Sequence, residues 1–254
     1  MLYGYEKKEK IFKNLVKKDM LSHAYLFFGE NQIGKFYFAK HLAYFLEYQK
    51  FDILEKPLVD AVIVKHPEDK KTIGINQLKE LSDFFHQKPL VSDKRLIIID
   101  EAHRLTRQAQ ASLLKLVEEA PDHITFIFIT NDKRSLLPPL LSRLQENYFQ
   151  KISTKKIKKI LEKDFQISSK RSKKVAKLSF GCIGRAINIV NDNSEYTDDL
   201  EGFLNKKIIN LFLKNKKANS KIIKKLLDKK VEVERFSLNP KLQKKAVQYI
   251  LNRK

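Results

Sequence analysis

Hydrophobic positions in the first 150 residues come in two kinds, short unbroken runs and stripes of helical spacing, and the two alternate. The runs are His23-Ala24-Tyr25-Leu26-Phe27-Phe28, Ala61 to Val64 after Asp60, Leu96 to Ile99, and Ile124 to Ile129. Each has the length and the β-branched or aromatic content of a strand covered on both faces. The stripes predict helices over residues 1–20 (Ile11, Phe12, Leu15 and Val16 on one side), Tyr37 to Tyr48, and Asn76 to Gln87. A further helix is predicted over Thr106 to Glu119, with Ala109, Leu113, Leu116 and Val117 on one face and Pro121-Asp122 as its stop. Ile73-Gly74-Ile75 reads as a further short strand. Runs alternating with stripes predict parallel strands joined by helical crossovers, an α/β layer of residues 1–150.

After Lys151 only stripes remain. Helices are predicted over Thr154 to Asp164, capped by Ser153 or Thr154, and over Ser169 to Ser179, closed by Gly181 in a left-handed turn. A third starts at Arg185, and Asn191-Asp192-Asn193-Ser194 is a polar break. Beyond Thr197 helices alone are expected. Their core stripes are Ile208, Ile209, Leu211 and Phe212, then Ile222, Ile223, Leu226 and Leu227. The expected organisation is an α/β domain (1–150), a small helical domain (151–192) and a short all-α region (193–254).

In a parallel sheet, ligands sit at the carboxyl ends of the strands, and that edge carries the candidate chemistry. The first strand runs into Gly29-Glu30-Asn31-Gln32-Ile33-Gly34-Lys35-Phe36, which fits GxxxxGK and fails only at the eighth position. Gly29 and Gly34 let the backbone curl so that its N–H groups converge on phosphate oxygens, and Lys35 reaches the terminal phosphates. The eighth position calls for a magnesium-binding hydroxyl, and Phe36 has no oxygen. Asp100-Glu101 suits a metal–nucleotide site, one carboxylate near the metal and the other polarising water. The same pair also suits a helix cap, and both readings stand. The six histidines form no pair with metal-ligand spacing and read as surface or locally bonded groups.

Charge changes the picture of the second part. Residues 1–150 carry 23 basic and 20 acidic side chains, and residues 151–254 carry 28 and 10. That excess of 18 suits a nucleic-acid face. With 42 Lys against 9 Arg, it equally suits the drift of an AT-rich genome. One cysteine, Cys182, excludes an internal disulfide and an all-cysteine zinc site. No apolar run approaches 18 residues and the first 20 positions hold no signal-peptide core, so a cytoplasmic protein with no membrane span is expected.

Taken in order, HAYLFFG with GENQIGK, LIIIDEAHRL, ASLLKLVEEAPDHITFIFITND and LLPPLLSRLQ resemble the AAA+ clamp-loader family of bacterial DNA polymerase III, and most of all its delta-prime and gamma/tau branches. The likeness covers about residues 20–150 and extends to GCIGRA at 181–186. It implies an AAA+ P-loop domain, a helical lid and a helical collar. It also implies phosphate contacts at Gly29, Gly34 and Lys35, an acidic motif at Asp100 and Glu101, and a polar sensor at Asn131 beside Thr130. Ser142-Arg143 matches a Ser-Arg-Cys motif, with Leu144 for Cys, whose arginine enters a neighbouring subunit's ATP site. Gly184, not Arg185, stands where ATP-hydrolysing relatives carry a second sensor arginine. Residues 49–60 lack the family's four-cysteine zinc module, so no zinc is expected, and ATP with Mg²⁺ is expected only weakly because of Phe36. The implied partners are gamma/tau and delta subunits, the sliding clamp and, through the assembly, primer-template DNA. The implied role is a structural subunit giving Arg143 in trans. The alternatives are an active gamma/tau-type ATPase and a stand-alone basic DNA-binding protein.

Overall fold

The computed structural model describes residues 2–67, 72–191 and 219–235, with 204, 207, 208, 211, 243 and 245–249. Five strands, β1 (Ala24–Phe28), β2 (Ala61–Val64), β3 (Arg95–Ile99), β4 (Ile124–Thr130) and β5 (Gln145–Tyr148), form one sheet in the order β2-β3-β4-β1-β5. Every pairing is parallel. The intervening helices are α1 (Glu6–Lys17), α2 (Lys35–Tyr48), α3 (Asn76–His86), α4 (Arg107–Glu118) and the short α5 (Pro138–Leu141).

Strand residues alternate between two cores. Leu26, Ile97, Ile99, Phe126 and Phe128 face one core with Leu81 and Phe85 of α3, Leu113 and Val117 of α4, and Leu140 of α5. Tyr25, Phe27, Leu96, Ile98, Ile127 and Ile129 face the other with Phe12 of α1 and Phe38 and Leu42 of α2. Cover on both faces explains why the three central strands read as continuous apolar runs. Removing Phe126, which is fully buried, would cost about 3–5 kcal/mol.

Some local expectations change. β5 reads Gln145-Glu146-Asn147-Tyr148, a polar sequence that forms a largely exposed edge strand against β1. Ile73 makes only an isolated bridge to Leu105, and Ile75 precedes α3 rather than extending a strand. α1 ends at Lys17, followed by Asp19 at φ 51°.

The chain divides into two compact units. One is Met1–Ile160 with Phe180–Gly184; the other is Leu161–Ser179 with Arg185–Lys254. The remaining helices are α6 (Thr154–Asp164), α7 (Ser169–Leu178), α8 (Ile183–Val190) and α9 (Ser220–Arg235). The Ser153 hydroxyl accepts from the Lys156 N–H at the start of α6. After α7 both Phe180 (φ 50°) and Gly181 (φ 86°) are left-handed, so the turn starts one residue before the predicted glycine. In the second unit Leu204, Leu226 and Val247 make a small core with Ile208, Leu211 and Ile222. Leu227, expected in that stripe, is exposed. Residues 192–194 of the polar break, with the expected boundary at 193, and Ile209 and Phe212 lie outside the described residues. Among the described residues no helix is long and apolar enough to cross a membrane.

Candidate functional site

Strand register brings the carboxyl edge together. Val64 pairs with Ile99, Ile99 with Phe128, and Phe28 with Thr130. Lys65, Asp100, Asn131 and Gly29 therefore all leave the sheet at one edge.

Gly29 has φ +144°, and a Cβ there would lie 2.6 Å from the Phe149 carbonyl oxygen, so the loop requires glycine at its start. Gly34, at φ +106°, opens α2. The loop is held from outside: the Tyr5 hydroxyl donates to the Ile33 carbonyl (3.0 Å), and the Gly184 N–H donates to the Gln32 carbonyl (2.8 Å). A Cβ at 184 would stand 2.8 Å from that same Gln32 oxygen. Glycine at position 184 thus has a local cause, the close approach of its own backbone to the loop.

Lys35 is buried, with only 7% of it exposed. Its ammonium donates to the carbonyls of Gly29 (2.8 Å) and Glu30 (2.7 Å). Burial lowers its pKa to about 8, against the pull of Asp100, Cys182 and Glu30. Asp100 is half-buried and its carboxyl is shifted up. Burial is the main cause and Glu101 adds to it, while the Glu101 N–H (3.0 Å), Lys65 and Lys35 oppose it.

Glu101 is engaged by neighbouring side chains. It has φ 49°, and its carboxylate pairs with His66 Nε2 (2.9 Å) and Arg104 Nε (3.3 Å). Of the capping reading, Glu101 stands at the N-cap position of a 3₁₀ turn, Ala102–Arg104, without a side-chain cap bond, while α4 is capped by Thr106, accepting from the Ala109 N–H at 3.2 Å. Thr130 is buried and its hydroxyl bonds the Asp132 backbone twice, which leaves Asn131 exposed at the end of β4.

Arg143 follows α5 on the surface. Its guanidinium donates to the Pro139 carbonyl (2.8 Å) and pairs with Glu118 at the end of α4. The fold thus gathers Gly29, Gly34, Lys35, Asp100, Glu101 and Asn131 at one edge, and seats Arg143 against α4 instead.

Sequence reasoning missed Lys65, His66 and Glu118. The first two directly follow β2, so the edge rule applied to that strand would have found them; Glu118 carried no signal. His103, read as surface or locally bonded, instead lies with a buried Nδ1 that has no hydrogen-bond partner, and burial lowers its pKa. The residue at position 36 does not fit a magnesium ligand. Phe36 offers no oxygen, and the Lys65 ammonium lies over its ring.

The sequence model of the family described as DNA polymerase III, delta subunit matches residues 4–153. The chain belongs to the DNA polymerase III delta subunit family. This is a clamp-loader family. The chain is similar to the DNA polymerase III subunit gamma/tau of Mycoplasma genitalium, with 31% identity over 216 residues, covering 77% of this chain and 35% of that protein. It is similar as well to the DNA polymerase III subunit delta' of Bacillus subtilis, with 33% identity over 171 residues, 61% of this chain and 50% of that protein. The chain thus spans about a third to a half of the length of the curated relatives it matches. Among solved structures, a gamma subunit-related protein of Thermotoga maritima matches with TM-score 0.51 at 18% identity, over 94% of this chain and 97% of that one. A RuvB variant of the same organism matches with TM-score 0.53 at 16% identity, over 82% and 62%. At such identities the likeness is one of fold, and it is the fold this delta subunit family member shares.

Proposed function

We propose that this chain is a delta-prime-type clamp-loader subunit, a structural member of the ring that hydrolyses little or no ATP and gives Arg143 to a neighbour's ATP site. The observation that carries this is the pairing of Phe36, an oxygen-free side chain where the metal's hydroxyl ligand is needed, with a surface arginine in the family's Ser-Arg position. Lys35, hydrogen-bonded to its own loop, and Glu101, paired with His66 and Arg104, support the inert half of the reading. A guanidinium presented to a neighbour neutralises charge developing on the transferred phosphoryl group, an effect worth about 10³–10⁵ in rate.

The partners in this reading are gamma/tau and delta subunits, the sliding clamp and, through the assembly, primer-template DNA. Residues 151–192 act as the lid and 193–254 as a short collar. A steady-state ATPase assay on the chain alone is expected to stay well below about 1 s⁻¹, an ordinary enzyme rate. Turnover at that rate would favour the gamma/tau-type motor, for which the retained Lys35, Asp100 and Glu101 speak. A steep fall of DNA affinity with salt, in the chain alone, would instead favour the stand-alone DNA-binding reading of the basic second part.

A further inference from the structure

Phe36 and Lys65 belong together. Phe36 is the second residue of α2, and Lys65 is the first residue beyond β2. The Lys65 ammonium lies 4.6 Å from the centroid of the Phe36 ring, within cation–π range. Backbone pairing places the same lysine beside the acidic motif, since the Asp100 N–H donates to the Val64 carbonyl at 3.0 Å.

We propose that the Lys65 ammonium takes the place of the divalent cation at this edge, so that a linear polyphosphate is held here without metal. The inference rests on reading Gly29 to Lys35 as a phosphate loop.

A hydroxyl at position 36 would offer an oxygen to Mg²⁺ and nothing to an ammonium. A phenyl ring does the reverse: its π face attracts a cation but supplies no lone pair. Mg²⁺ needs a near-octahedral shell of oxygens. Here position 36 supplies no oxygen to such a shell, and a positive charge rests over its ring. Lys65 adds one positive charge to that of Lys35, which a phosphate loop carries with or without a metal. They come from two different elements, and the charge of each favours the ionised form of the Asp100 carboxyl. Lys65 is exposed on a flexible four-carbon stem, so it can leave the ring to meet an incoming phosphate. Lys35 can do so only by giving up two carbonyl bonds.

The test is isothermal titration of the full chain with ATP and with inorganic triphosphate, each in EDTA and in excess Mg²⁺. The expected result is binding of both in EDTA, with no gain from Mg²⁺. Lys65→Met, with its fold checked by circular dichroism, should weaken the metal-free binding roughly tenfold, the worth of one good charge-assisted contact. The double variant Phe36→Thr, Lys65→Met should bind ATP more tightly with Mg²⁺ than without. Binding that requires Mg²⁺ in the unaltered chain, binding indifferent to Lys65→Met, or no binding of either probe at millimolar concentration overturns the proposal. None of these outcomes touches Arg143, whose role is read in the assembled loader, so the two readings fail separately.

Discussion

Lys35 is 7% exposed and donates to two carbonyls of its own loop, whereas the Arg143 side chain is 40% exposed and meets the Pro139 carbonyl, the Ser142 hydroxyl and the Glu118 carboxylate. Both cations belong to motifs associated with phosphate. One is turned inward, desolvated and costly to move; the other sits on the surface in a pair that exchanges cheaply, since exposed ion pairs are worth only about 0.2–1 kcal/mol. The contrast separates the two halves of the proposed function. The loop has its glycine geometry and no hydroxyl at position 36, while the distant arginine has the exposure that the proposed role in trans requires.

The largest expected effect tests the outward side. In a reconstituted loader, Arg143→Ala should reduce ATP turnover by about 10³-fold or more, while size-exclusion chromatography shows the assembly intact. An unchanged turnover would leave Arg143 as a surface residue and end the contrast.

The inward side is tested by pH. The Lys35 pKa is near 8 in the folded chain and near 10.5 when unfolded. Between those values the unfolded chain binds more protons, so this residue makes stability rise with pH from about 8 to 10.5. Burial of its charge weakens the fold below pH 8. Urea melts at pH 7 and pH 10 should show a rise that Lys35→Met removes, a difference on the order of 3 kcal/mol for a shift of this size. Equal pH dependence in the two proteins would mean that Lys35 is not desolvated.

A smaller effect concerns the loop's shape. Gly29→Ala places a methyl 2.6 Å from the Phe149 carbonyl oxygen at φ +144°. A loss of about 1–3 kcal/mol is expected by thermal or urea unfolding, the usual range for backbone strain of this kind. The smallest effect is that of Glu118→Gln, which releases Arg143. Stability should change by less than about 1 kcal/mol, while loader turnover stays near normal or rises. A large fall in turnover would show that Glu118 orients the guanidinium and does not merely hold it.

How much of the site was legible differs from strand to strand. β1, β3 and β4 are buried on both faces, so burial selects unbroken apolar runs that stand out in the sequence. β5 is an edge strand with solvent beside it. Its residues Gln145 to Tyr148 are held by backbone pairing with β1, which leaves no side-chain pattern to read. The glycine spacing of the loop was legible because a left-handed backbone and a 2.6 Å approach exclude every other residue at Gly29. Glu101 was legible as a carboxylate at the right edge. Its capture by His66 and Arg104 was not, since His66 lies 35 positions away and pairing at that distance leaves no periodicity.

The sequence by itself determined the kind and order of the elements from α1 to β4, apart from Ile73 to Ile75, together with the edge at which the candidate chemistry gathers and the missing hydroxyl at Phe36. Each of these is a local property: side-chain spacing along one helix or strand, or the chemistry of one residue. Only the tertiary structure decided that Lys65 lies over the Phe36 ring, that Glu101 is engaged, and that Arg143 rests on Glu118. Those contacts join charged side chains whose partners are chosen by distance in space, and charge, unlike burial, leaves no repeating mark along the chain.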